Sequence, residues 1–253
     1  MADNGSGTQD GNGAYGTDLA FIHDAGFGIP AQSAARTLLP ILHDLGFDEG
    51  QVVELGCGSG IQAAEVTEAG FDVLGYDISQ AMVDLACQRV PTGTFRCGSF
   101  VDAEIPPCVA VTAVGEIFNY LFDRRNTQTV LKKVFRRVYS ALAPGGVFLF
   151  DVALVGRVPT GRSRTYSAGD DWACLYEAVE DDKRRTLTRD ITTFRKSGDT
   201  YRREHELHRL RLYQRDDVLT LLRTIGFRVR TLKKYDEMKF PPGYLGFLAI
   251  KPR

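Results

Sequence analysis

The sequence predicts an α/β protein built on a doubly wound, mostly parallel sheet, with an antiparallel β cap inserted late in the chain. Three observations carry this prediction. Between Gly50 and Asp151, apolar runs of strand length alternate with segments of helical spacing. Those runs are largely apolar, the pattern of strands covered on both faces, and right-handed crossovers then wind the sheet in two directions. After Asp151 the style changes to strand-like runs joined by the polar turns DDKR and KSGD, which suits a meander.

The elements follow in order. Residues 1–14, MADNGSGTQDGNGA, hold almost no apolar group that could offset the entropy of ordering, so a disordered tail is expected there and a single domain over 15–253. AQSAARTLLPILHDLGF spaces Leu38, Leu39, Ile41, Leu42 and Leu45 as one helical face; Gly46 supplies its stop and Pro40 predicts a kink. QVVELG, FDVLGYD, GTFRCGS, CVAVTAVG and GGVFLFDVAL read as strands, and IQAAEVTEAG, SQAMVDLACQRV and TQTVLKKVFRRVYSALAPGG as the helices between them. The cap spans 160–212, with WACLYEAVE, TLTRDITTFR and TYRREHELHRLRLY as its strands. A helix at DDVLTLLRTIGF, capped by its acids and ended by Gly226, returns the chain to the core, and RVRTLKKYD and GYLGFLAIK close it as strands.

Composition narrows the function. The 253 residues are 43% hydrophobic, enough for a sizeable core, and the net charge of -1 disfavours a globally electrostatic nucleic-acid binder. No apolar run reaches membrane-spanning length and no signal peptide is readable, so a cytoplasmic protein without a membrane partner is expected. The five cysteines form no CxxC pair, which points to reduced thiols. Between 181 and 240 basic residues outnumber acidic ones by 17 to 10, a solvated face or a surface for an anionic substrate.

The chemistry gathers at VVELGCGSG, residues 52–60. A strand that ends at Leu55 and opens through Gly56, Gly58 and Gly60 into a helix puts backbone amides at the carboxyl edge of the sheet, where open α/β sheets bind ligands. A dinucleotide loop is one reading, since GSGIQA from Gly58 fits GxGxxA, but that fingerprint begins at the turn directly after the strand, and counting from Gly56 puts Ile61 where a small residue belongs. Glu54 decides between them: a carboxylate there repels a pyrophosphate and favours a cation.

Glu54-Leu55-Gly56-Cys57-Gly58-Ser59-Gly60 resembles motif I, E-x-G-x-G-x-G, of the class I S-adenosylmethionine (SAM)-dependent methyltransferases, without departure at any position. The resemblance implies a seven-stranded sheet whose last strand, GYLGFLAIK, is antiparallel, with SAM as cofactor and S-adenosylhomocysteine as product. It covers about residues 36–152, and the final helix and strands more loosely. It implies cofactor contacts from Glu54, Gly56, Cys57, Gly58 and Gly60; from Asp77, about 20 residues on, to the ribose hydroxyls; from Ile78 to the adenine; and from Ser99 and Phe100 at the next strand end, where Ser99 replaces a commoner aspartate and leaves the adenine amino contact to Ser99, Asp102 or a backbone carbonyl. The helix beginning near Ser79 offers Asp77 an alternative role as a cap. Tyr15 and His23, upstream, belong to a segment that family members fold over the cofactor.

The expected reaction is in-line methyl transfer to a nitrogen, oxygen or carbon of a small-molecule acceptor, in which alignment supplies most of the catalysis. Glu116, His23 and Tyr120 are the candidate catalytic residues, with His205 after them, and Tyr166, Trp172, Tyr176 and Arg211 the candidate acceptor-lining residues of the cap. In EHELH, His205 and His208 fall on opposite faces of a strand, so no shared metal is expected. The readings set against this one are methylation of a protein or nucleic acid, disfavoured because GEIFNY replaces the NPPY-like tetrad, a SAM-binding protein without catalysis, and an NAD(P) reductase. A homodimer through the cap strands is left open.

Overall fold

A computed structural model of the chain describes residues 14–253. The expected tail, apart from Ala14, lies outside the described residues. The helices are α1 (Thr17–Gly26), α2 (Ile29–Asp44), α3 (Ile61–Glu68), α4 (Gln80–Arg89), α5 (Gln128–Ala141) and α6 (Arg215–Ile225). The strands are β1 (Gly50–Leu55), β2 (Phe71–Asp77), β3 (Thr94–Cys97), β4 (Cys108–Ala113), β5 (Leu142–Ala153), β6 (Arg162–Ala168), β7 (Trp172–Asp181), β8 (Thr186–Ser197), β9 (Thr200–Arg211), β10 (Arg228–Leu232), β11 (Lys234–Tyr235), β12 (Met238–Lys239) and β13 (Tyr244–Ile250).

Seven strands form one sheet in the order β10-β13-β5-β4-β1-β2-β3. Neighbours pair in parallel from β5 through to β3, whereas β13 runs antiparallel to both β5 and β10. The doubly wound sheet with one antiparallel strand is thus as the sequence predicts. Its faces bury two apolar layers. One is built on Phe118, Phe135, Phe148, Phe150 and Phe247, all at most 1% exposed, and the other on Leu38, Leu42, Val52, Val147 and Leu149. Truncating one such phenylalanine to alanine costs ~3 to 5 kcal/mol. The α2 helix continues through Pro40 as one helix. No helix among the described residues is long and apolar enough to cross a membrane.

The cap is a second sheet of four strands, β6-β7-β8-β9, all antiparallel. The strand reading of this region found β7, β8 and β9; β6, RSRTYSA, is exposed along nearly all its length and shows no apolar alternation. Two further differences have physical causes. RVRTLKKYD is not one strand: the chain leaves the sheet after Leu232, and β11 pairs with β12 in a small hairpin that seats Tyr235, fully buried, with its hydroxyl donating to Asp151 Oδ2 at 3.2 Å. The segment before α2 is also helical. α1 packs its Leu19 and Ile22 against Cys174 and Ile191 of the cap, so its apolar face answers to the cap and not to the parallel core.

Candidate active site

The site forms where β1, β2 and β4 end. Gly56 adopts φ +80°, and a Cβ there would stand 2.3 Å from Ile117 Cδ1, so both conformation and space exclude a side chain. Gly60, at φ +77°, caps α3 with its α carbon against Ala86. Between them the loop folds over the end of β2: Gly56 N and Cys57 N donate to Tyr76 O at 2.7 and 2.9 Å, and Gly58 N donates to Asp77 Oδ2 at 2.9 Å. The other oxygen of Asp77 accepts from Ser79 N at 2.9 Å, while Ser79 itself caps α4. Asp77 therefore joins the glycine loop to the following turn, and burial raises its pKa against the pull of these amides.

A cavity of about 160 Å³ lies above this loop. It is lined by Glu54, Gly56, Cys57 and Gly58, by Asp77, Ile78, Ser99 and Phe100, by Tyr120, and by Tyr15 and His23 of the N-terminal segment. Gly60 among the expected cofactor contacts, and Glu116 and the exposed His205 among the catalytic candidates, stand off the wall. Gly60 lies behind it as the cap of α3, and Glu116 is 3% exposed behind Gly115 and Ile117.

Glu116 sits at φ +62°, with its amide donating to Asp151 Oδ1 at 2.6 Å. Its carboxylate accepts from Arg157 Nε at 3.0 Å and is paired with Arg189. Burial alone would raise its pKa, but the two guanidinium groups hold it below the usual carboxylate value. Arg189 also donates to Tyr120 Oη at 2.9 Å, and the Tyr120 and Tyr15 hydroxyls meet at 3.1 Å. Burial raises both phenols, so they serve as neutral hydrogen-bonding groups. His23 differs: burial lowers its pKa to about 4, leaving it neutral at pH 7 with Nδ1 unpartnered among the described residues.

Glu54 is the clearest mark of a ligand. It is 2% exposed, both carboxylate oxygens lack a partner among the described residues, and burial raises its pKa to about 8. A buried carboxyl facing a cavity without a counter-charge fits a ligand that brings a cation, and no basic side chain lines that wall to receive phosphates. The α-ammonium and sulfonium of SAM meet this requirement; a pyrophosphate does not.

Sequence reasoning missed Phe27, Gln62, Met82, Phe122 and Asp123, all on the cavity wall. Only Asp123 carries a local signal, the DRR turn in which Arg125 folds back and holds its carboxylate at a pKa of about 2. The four cap residues named as acceptor-lining are corrected by the structure, since none reaches the cavity. Tyr166 is 78% exposed, Arg211 donates to Asn126 O at 2.8 Å, Trp172 packs on Phe27, and Tyr176 lies beside the Arg189 guanidinium. His205 and His208 do fall on opposite faces of β9, one paired with Asp190 and exposed, the other buried against Glu206.

Residues 52–146 match a family model described as a methyltransferase domain. A relative in Bacillus subtilis, named putative methyltransferase YqeM, is 25% identical over 192 residues that cover 72% of this chain and 75% of that one. A probable 18S rRNA (guanine-N(7))-methyltransferase of Dictyostelium discoideum is 33% identical over 106 residues, 38% of this chain and 35% of its own. Among solved structures, a SAM-dependent methyltransferase from Clostridium acetobutylicum superposes with a TM-score of 0.78 at 19% identity, covering 93% of this chain and 98% of that one. CalS10 from Micromonospora echinaspora, an amino pentose methyltransferase with SAM bound, gives 0.73 at 16% identity over 91% and 96% of the two chains. With a methyltransferase domain over residues 52–146, a glycine loop that keeps E-x-G-x-G-x-G at every position and a fold shared along nearly its whole length with SAM-dependent methyltransferases, the chain is a methyltransferase-domain protein of the class I fold that uses SAM as its cofactor.

Proposed function

We propose that this enzyme methylates a small-molecule acceptor in a neutral, aromatic chamber beside the cofactor. The observation that carries the reading is the aromatic cluster on the cavity wall, where the Tyr15 ring meets those of Tyr120 and Phe122 at 6.2 and 6.4 Å and His23 stacks on Phe27 at 5.9 Å. Apart from Glu54, Asp77 and Asp123, that chamber has no charged side chain among the described residues, and an aromatic lining of this kind suits an acceptor small enough to be enclosed. The amino pentose activity named for CalS10 supports the same reading. The 18S rRNA activity named for the Dictyostelium relative supports the rival one, but its match spans only 38% of this chain.

SAM supplies an electrophilic methyl group on a sulfonium, already a good leaving group. The chain's part is to align and enclose. Glu54 takes the cationic amino end, Asp77 the ribose hydroxyls, and Ile78 and Phe100 the adenine, with Ser99 at its edge. Tyr15 and Tyr120 orient the acceptor through their neutral hydroxyls. His23, unprotonated at pH 7, is the group able to accept a proton from an acceptor that arrives with one. Glu116, held between two arginines, fixes Arg189 beneath Tyr120 and does not take that proton. A cytoplasmic setting, where SAM and reduced thiols coexist, belongs to the same proposal. Incubation with methyl-labelled SAM and, separately, a panel of amines and phenols, ribosomal RNA and protein tests it. Label in a small amine or phenol supports the proposal, and label confined to RNA or protein overturns it.

A further inference from the structure

The cap lines no part of the cavity, yet it grips the segment that covers it. Glu206, on β9, accepts Tyr15 N on Oε2 at 2.9 Å and Gly16 N on Oε1 at 2.7 Å, and its Oε2 also lies 2.7 Å from His208 Nε2. His208 is fully buried, with its ring 5.1 Å from that of Tyr15. Tyr15 is held from the opposite side by Ser79 Oγ, which donates to its carbonyl at 2.7 Å beside Asp77 and Ile78. Between these two grips Tyr15 adopts φ +49°, a left-handed conformation that a bulky L-residue keeps only under constraint. One turn on, Asp18 is 1% exposed and bonded to Arg195 of β8 at 3.1 Å and to Arg202 of β9 at 2.5 Å.

We propose that Glu206 is a positioning residue for the cofactor, acting through Tyr15: from outside the cavity its carboxylate fixes the backbone of Tyr15 so that the ring closes over the bound nucleoside. The charge is suited to the task. One carboxylate collects two successive backbone amides and an imidazole, and charge-assisted bonds of this kind are stronger and more directional than those of a neutral acceptor. Asp18 acts in the same sense, tying the first turn of α1 to the sheet. Opening the cavity wide enough to exchange S-adenosylhomocysteine requires these bonds to break, so the cap sets how long the cofactor is held. The inference needs cofactor binding alone and stands whatever the acceptor proves to be.

The single tryptophan of the chain reports the movement directly. Trp172 of β7 lies over Gly26, the last residue of α1, and Phe27 just after it, where a Cβ on Gly26 would stand 2.6 Å from its indole. Stopped-flow displacement of S-adenosylhomocysteine, with Trp172 emission recorded on the same samples, is the test. In Glu206→Ala, with its far-UV spectrum retained, dissociation accelerates roughly tenfold or more, as loss of bonds to a charged group implies, and the emission shifts to the red. Glu206→Gln, which keeps one oxygen acceptor, recovers most of the parent rate. On a Tyr15→Ala background, Glu206→Ala adds little further acceleration, because its partner is gone. A parent-like rate and emission in Glu206→Ala, or the same acceleration with and without Tyr15, overturns the proposal. If the alanine variant does not fold, Asp18→Asn carries the test, and a parent-like rate there overturns it equally.

Discussion

Replacing Glu54 by Gln affects folding and cofactor binding with opposite signs, which makes the variant a sharp probe. The carboxyl is almost fully buried without a partner among the described residues, and burial raises its pKa from 4.5 to about 8. Because the folded value lies above the unfolded one, the folded state binds the proton more tightly. The associated loss of stability begins as pH rises through 4.5 and is complete only above 8. At pH 7 it amounts to ~3 kcal/mol. Glu54→Gln removes this titration, so the ligand-free variant melts above its parent at pH 8 and close to it at pH 4.5. Binding behaves in reverse. A cationic ligand draws Glu54 into its ionised form, and at pH 7 a group with that pKa gives up roughly 0.9 proton per ligand bound. Calorimetry of S-adenosylhomocysteine in buffers of different ionisation enthalpy measures this release. In Glu54→Gln the release attributable to this site disappears and affinity falls by ~1.5 to 3 kcal/mol. Parent-like affinity and proton release in the variant would refute the assignment of Glu54 to the cationic end.

Three other outcomes follow from the same geometry. Asp77→Ala weakens SAM by ~1 to 3 kcal/mol in calorimetry and also lowers the melting temperature, because Gly58 N and Ser79 N lose their acceptor together; lowered stability with unchanged affinity would leave Asp77 only its capping role. Arg189→Met strands Glu116 as a buried, less compensated charge and costs ~3 to 5 kcal/mol in urea denaturation, a loss that the double variant with Glu116→Gln largely restores. His23 has a folded pKa of about 4 against an ordinary 6.5, so its contribution is present above pH 6.5 and is lost as pH falls toward 4; His23→Gln flattens the fall in melting temperature between pH 7 and 5 that the parent shows.

The glycine-loop side of the candidate site was legible because its constraints are local. Positive φ at Gly56, Gly58 and Gly60 and a carboxylate at the end of the next strand leave a mark within about one βαβ unit. The acceptor side was not, because its parts come from distant elements. Tyr15 and Glu206 are 191 positions apart, and Glu116 and Arg189 are 73 apart. No spacing rule links such pairs. Strand parity explains the mistaken choice of Tyr166, though not that of Trp172 and Tyr176, which share the inner face. Tyr166 pairs with Leu175 on the outer face of the four-stranded sheet, whereas Arg189 pairs with Ala178 and His208 on the face toward α1. Residue type alone favoured the exposed tyrosine, and register selected the arginine and histidine. The helix α1 escaped notice for a related reason: its apolar residues pack on the cap, whose inward face had first to be known.

The central claim is that this loop and carboxylate bind a cationic, phosphate-free nucleoside. A thermal-shift titration of the unmodified protein with S-adenosylhomocysteine and, in parallel, NADP tests it most directly. A ligand that binds only the folded state stabilises it by ~2.7 kcal/mol at a hundredfold excess over its dissociation constant. The account predicts a dose-dependent rise in melting temperature with S-adenosylhomocysteine and none with NADP, and a rise with NADP alone would contradict it.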